Sequence, residues 1–135
     1  VELVKRGLDK NVVAIKKPTD VLPYTLDIRD RKREHFVVFY LNARNEILKR
    51  DFVSIGTLNA SLVHPREVFR PAIEQSAASV IFVHNHPSGD TTPSEDDIKL
   101  TKRLVSAGEI LGIEILDHII ISKTDYLSMK SKNLI

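Results

Sequence analysis

Apolar and polar positions alternate along this chain in blocks that point to strands and helices in turn. His35-Phe36-Val37-Val38-Phe39-Tyr40-Leu41 is apolar almost throughout and rich in β-branched and aromatic residues, so it predicts a central strand covered on both faces. Asn42–Asn45 is turn-like, and Glu46–Ile55 returns as a second strand, which makes a β-hairpin. Gly56-Thr57-Leu58-Asn59 makes a connection. Pro65 suits the first turn of a helix, where Val68, Phe69, Ala72, Ile73 and Ala77 form an apolar stripe. Pro71 inside that stripe is expected to kink or shorten it. Val80–Val83 predicts a buried strand. A second helix is expected from about Ser94 to Leu111, with Ile98, Thr101, Leu104, Val105 and Gly108 inward and Gly112 as its C-terminal cap. Ile113–Ile121 predicts a last core strand, and the tail from Thr124 is ambiguous. The order hairpin, helix, strand, helix, strand implies an α/β fold of α+β type, a mixed β-sheet flanked by helices.

The first 33 residues carry less pattern. Val1–Leu8 suits a short helix, Asn11–Ile15 is strand-like, and Pro18, Asp20 and Pro23 mark a loop or helix start. We divide the chain into an N-terminal extension or linker over 1–28 and a catalytic domain over 29–135. The chain opens on Val1, so an excised domain is expected. Its 135 residues suit one domain. Charged residues at 28% against 42% hydrophobic favour a folded, water-soluble chain over a disordered one. No apolar run approaches a membrane span, and no secretory leader is visible. Cysteine is absent, which rules out disulfides and zinc–thiolate sites and favours a reducing cytoplasm. A net charge of +2 is a weak argument for nucleic acid. The basic residues between Lys5 and Arg33 are diluted by acidic ones, so they describe a solvated surface better than a phosphate track.

Composition leaves only His, Asp and Glu as metal ligands, and one stretch concentrates them: His84-Asn85-His86-Pro87-Ser88-Gly89-Asp90, then Ser94-Glu95-Asp96-Asp97. Side chains at i and i+2 of an extended strand share a side, so His84 and His86 can reach one ion. A turn of this length can fold the next helix start back over the strand end. His84, His86 and Asp97 then make a three-ligand set with an open fourth position, as in catalytic zinc sites, where the metal acidifies water and polarises a carbonyl. Ser94–Asp97 is equally a plain capping box, and Asp90, Glu95 and Asp96 are rival ligands.

The spacing His-x-His, seven residues, Ser-x-x-Asp resembles the JAMM (MPN+) metalloprotease motif, and Val83–Asp90 with Leu116–Ile120 resembles the RadC family over about residues 30–123. That resemblance implies a JAMM/MPN, cytidine-deaminase-like architecture. It implies zinc on His84, His86 and Asp97, with Ser94 supporting an oxyanion. It also implies a glutamate as general base, for which Glu34, just before the first strand, matches; Glu67 and Glu46 are its rivals. The implied activity is hydrolysis of a peptide or isopeptide bond in a polypeptide substrate. A DNA-repair or DNA-binding module and a non-catalytic MPN scaffold are the competing readings. His118 is expected to be structural, with support of a ligand or a substrate contact as the alternative, His64 to belong to a helix entrance, and His35 to a strand surface.

Overall fold

The computed structural model describes residues 13–56 and 63–135. The expected helix over 1–8 lies outside them, as do most of the connection after Gly56 and part of the strand-like 11–15. What remains of that strand is one bridge, Ala14 to Glu46. A 3-10 segment, Pro18–Thr25, leads into the short α1, Leu26–Arg29. Then come β1 (His35–Leu41), β2 (Ile47–Ile55), α2 (Pro65–Glu74), β3 (Ser79–Asn85), α3 (Glu95–Leu111), β4 (Glu114–Ile121) and β5 (Tyr126–Ser128). The sheet order is β2-β1-β3-β4-β5. Among the described strands only β3 and β4 run parallel, and the helix α3 supplies the crossover that a parallel pair requires. The architecture is the mixed, helix-flanked sheet that the pattern predicts, with β1 fully buried between β2 and β3.

Side-chain alternation divides the core in two. Phe36, Val38 and Tyr40 of β1 join Val80 and Phe82 of β3 against Val68 and Phe69 of α2 and Leu100 and Leu104 of α3. Val37, Phe39 and Leu41 join Ile81, Val83, Ile119 and Ile121 on the other face, where Ile15, Val21 and Ile28 cover them. The described part of the segment taken from sequence as an extension is thus packed core: Val21 and Ile28 are fully buried. Its composition hides this because only every few residues face the sheet. Arg29 fastens it to the far edge through the carbonyls of Ser122 and Asp125.

The helices depart from expectation in detail. The helix α2 carries Pro71 but ends at Glu74, so Ile73 is exposed and Ala77 lies beyond the last turn. On α3 the buried face is Asp97, Leu100, Thr101, Leu104 and Gly108, with Ile98 and Val105 at its margins. Thr101, Leu104 and Gly108 face inward as expected, and the face is rotated toward Asp97 and Leu100, which the predicted stripe leaves out. Gly112 caps α3 in the left-handed region at φ 73°, as expected. Among the described residues no helix is long and apolar enough to cross a membrane.

Candidate metal centre

The strand β3 runs two residues beyond its apolar stretch, so His84 and Asn85 are strand residues and fully buried. The His86 amide still donates to the Ile121 carbonyl at 2.8 Å, extending the pairing to β4 past the formal strand end. The chain then turns: the Gly89 amide donates to the His86 carbonyl at 3.1 Å, and Gly89 sits at φ 92°, where a side chain would be strained. Asp90 holds this turn, accepting the Thr92 amide at 3.0 Å. The turn returns α3 with its N-terminus over the strand end.

At that end Ser94 and Asp97 cap each other. The Asp97 amide donates to Ser94 Oγ at 3.0 Å, and the Ser94 amide donates to Asp97 Oδ2 at 2.8 Å. The capping-box reading of this pair is satisfied, and the same carboxylate also faces the histidines. Asp97 Oδ2 lies 3.1 Å from His86 Nε2, Oδ1 lies 3.3 Å from His84 Nε2, and the two Nε2 atoms are 2.9 Å apart. A tetrahedral ion bonded at about 2.0–2.2 Å requires ligand atoms about 3.3–3.6 Å apart, so all three edges match or fall a few tenths of an ångström short. The Asp90 carbonyl, 2.8 Å from His86 Nδ1, can only accept; it fixes a proton on Nδ1, so the lone pair of the neutral ring is on Nε2, aimed at the cluster. A lone pair facing a buried carboxylate demands a cation or a proton between them. This donor set therefore fits a divalent metal, and its nitrogen and oxygen chemistry suits zinc among others.

Glu34 stands at the mouth. Its Oε1 is 3.9 Å from both His84 Nε2 and His86 Nε2. Glu34, His84 and His86 can also bring one ligand atom each within 4.8 Å of one another. Asp97 approaches the imidazoles more closely and is almost wholly buried, whereas the Glu34 side chain is 22% exposed. The longer distance suits a carboxylate that bonds to whatever fills the fourth position. Beside it opens a cleft of about 330 Å³ lined by Lys32, Arg33, Glu34, Gly56 and Pro87.

The rivals are occupied elsewhere. Glu95 and Asp96 are exposed in the first turn of α3. Glu67 accepts the His64 amide at the start of α2, and Glu46 accepts from the Asn42 side chain in the hairpin. His64 is the helix entrance that was expected. His35 is buried rather than on a strand surface, its ring edge-on to Phe52.

Asn85 escaped the sequence reading, and so did the particular contacts that His118 and Thr101 make. Asn85 points to the opposite side from the histidines. It accepts the His35 amide at 2.6 Å and donates to the carbonyls of Arg31 and Arg33, so it clamps the backbone on either side of Glu34. His118 is not merely structural: its Nε2 lies 2.7 Å from His84 Nδ1. Thr101 Oγ1 lies 2.5 Å from His118 Nδ1. The signal for Thr101 was its place four residues after Asp97 on the buried face; His118 required knowing that β3 and β4 are neighbours.

Charge states follow from burial and partners. Burial pushes the Asp97 carboxyl up, but the facing His84 and His86 rings, with the Ser94 amide, hold it well below the usual carboxylate range. The Asp97 hydrogen bond raises His86 above the ordinary imidazole value against the opposing effect of burial. Burial, with His84 beside it, holds the His118 imidazole well below its ordinary value.

Comparison with protein families matches residues 15–134 to a family described as the RadC-like JAB domain. A UPF0758 protein of Desulforamulus reducens is 59% identical over 124 residues, covering 91% of this chain and 55% of that protein. One from Geobacillus thermodenitrificans is 55% identical over 122 residues, covering 90% of this chain and 54% of its own length. One from Methanosarcina mazei is 54% identical over 124 residues, with 90% and 53% covered. The chain spans about half the length of the curated relatives it matches. With the family match running over nearly the whole described chain, this protein belongs to the RadC-like JAB domain family.

Proposed function

We propose that this domain is a zinc-dependent hydrolase of the JAMM type that cleaves a peptide or isopeptide bond. The observation that carries the reading is the convergence of His84 Nε2, His86 Nε2 and Asp97 within 2.9–3.3 Å, with a second carboxylate, Glu34, held back at 3.9 Å. His84, His86 and Asp97 would hold the metal. A zinc ion there supplies a Lewis acid that polarises a carbonyl and acidifies water.

The chain's own groups do the rest. Glu34, partly exposed beside the cleft, accepts a proton from the attacking water and delivers it to the leaving nitrogen. Ser94 Oγ already accepts the Asp97 amide, so its own proton is free to donate to the oxyanion developing on the substrate. Asn85 keeps Glu34 in place by accepting the His35 amide on one side and donating to the Arg33 carbonyl on the other. The cleft lined by Lys32, Arg33, Gly56 and Pro87 admits the polypeptide next to Glu34.

The test is Glu34→Gln in the metal-loaded protein, against a panel of peptide and isopeptide substrates. Metal content is expected to stay at one ion per chain while turnover falls by at least about 10²-fold. Undiminished turnover would remove Glu34 from the mechanism, and absence of turnover in the unaltered protein across the panel would leave the scaffold reading. A nucleic-acid role has one observation in its favour, the exposed run Arg31-Lys32-Arg33 at the cleft mouth. It requires DNA affinity that falls with salt along a slope set by the phosphates contacted.

A further inference from the structure

The hydrogen bonds behind His84 form a directed chain. Thr101 Oγ1 lies 2.7 Å from the carbonyl of Asp97, one turn earlier on α3. A carbonyl oxygen has no proton to give, so the hydroxyl donates to it, and a hydroxyl has only one proton. The other polar neighbour of the hydroxyl, His118 Nδ1 at 2.5 Å, must then supply the proton of that contact. The Met129 sulfur, at 3.8 Å, is the remaining candidate acceptor and a far poorer one than the carbonyl. With its proton on Nδ1, the neutral His118 ring presents Nε2 as a lone pair. At 2.7 Å from that lone pair, His84 Nδ1 must carry a hydrogen. In its neutral form His84 therefore carries its lone pair on Nε2, facing His86 and Asp97. All three members, Thr101, His118 and His84, are fully buried, so water does not scramble the order.

We infer that Thr101 and His118 are positioning residues that fix the tautomer of His84, and that the Thr101 hydroxyl sets the direction of the whole chain. The inference rests on the proposed metal site and adds to it a cause for the ligating form of one histidine. It also closes a loop: the Asp97 carboxylate and the His84 imidazole meet at the metal position, while the Asp97 carbonyl and the other edge of His84 are tied through Thr101 and His118. Two ligands from β3 and α3 are thereby held in register by a residue of β4. Reversing the chain would place the proton of His84 on Nε2, where it blocks ligation. A partner on the far nitrogen of a ligating histidine sets its tautomer, and its loss weakens metal binding by about 10–100-fold.

The experiment uses nitrogen-15 NMR of histidine-labelled, metal-free protein at pH 8, with zinc affinity by chelator competition on the same samples. In the unaltered protein, His84 and His118 are both expected as the Nδ1–H tautomer. Thr101→Val removes the acceptor of the His118 Nδ1 proton while keeping the side-chain shape. It is expected to shift His118 toward Nε2–H and to weaken zinc by about 10–100-fold. Thr101→Ser is expected to restore both. An Nε2–H tautomer for His118 in the unaltered protein overturns the inference whatever the variants do. So does a Thr101→Val protein that binds zinc as tightly as the unaltered one. Should the unaltered protein take up no zinc yet show the expected tautomers, the hydrogen-bond chain stands and the proposed function falls.

Discussion

Proton competition at the site fixes how metal binding varies with pH. The Asp97 hydrogen bond raises His86 above its ordinary value of 6.5, against the opposing effect of burial. A proton on His86 must leave before Nε2 can hold a cation, so competition begins above pH 6.5. Below the raised value, affinity falls about tenfold per pH unit for each proton displaced. Between pH 8 and pH 6 the loss is then on the order of tenfold or more. Zinc at 100 times its Kd stabilises the native state by about 2.7 kcal/mol, and a tenfold weaker site by about 1.4 kcal/mol. At about 4 °C per kcal/mol for a domain of this size, the Tm rise on adding zinc is about 10 °C at pH 8 and about half that or less at pH 6. The metal-free protein behaves in the opposite sense. Stability from the raised His86 is fully present below pH 6.5 and lost as pH rises through the folded value. Stability from the lowered Asp97 is present above about pH 4 and lost only as pH falls toward its depressed value. Thermal melts with and without zinc at both pH values are the assay, with Asp97→Asn as the control whose zinc shift is much reduced at both. A zinc shift as large at pH 6 as at pH 8 would refute the coupling of His86 to Asp97.

Further outcomes follow from single contacts. Asn85→Ala strips the buried His35 amide of its acceptor; about 1–3 kcal/mol of stability should be lost in denaturant melts, with turnover reduced and zinc affinity kept. Ser94→Ala should cost about 1 kcal/mol as a lost helix cap, whereas Ser94→Asp keeps the cap. Both should lower turnover by about 10²–10³-fold if the hydroxyl supports the oxyanion, so the pair separates the two roles in one kinetic assay. Gly112→Ala forces a side chain into the left-handed cap of α3 and should lower the Tm by a few degrees without touching metal content.

What the sequence made legible was local. Two histidines two apart on a strand must share a side, and a serine three residues before an aspartate caps a helix whatever else the pair does. Those rules bring His84, His86, Ser94 and Asp97 together within fourteen residues of chain. The hairpin and β1 were equally legible, because an apolar run of that length has to be covered on both faces. What escaped depends on elements distant in sequence. His118 meets His84 only because β4 lies parallel beside β3, and 34 residues separate them. Asn85 was hidden by its neighbours: the residue between two ligands faces away from the metal, and only the structure shows the Glu34 segment waiting there. The partial exposure of Val105 has a simpler cause. A stripe drawn without Asp97 and Leu100 is turned away from a buried face that includes them both.

The most direct measurement is zinc K-edge absorption on the zinc-loaded protein, with metal counted per chain in parallel, for the unaltered protein and Asp97→Asn. One ion per chain with two imidazole nitrogens and a carboxylate oxygen at about 2.0–2.2 Å, the oxygen lost or lengthened in Asp97→Asn, is the predicted result. A zinc ion bound without either imidazole, or a coordination shell indifferent to Asp97→Asn, would contradict it.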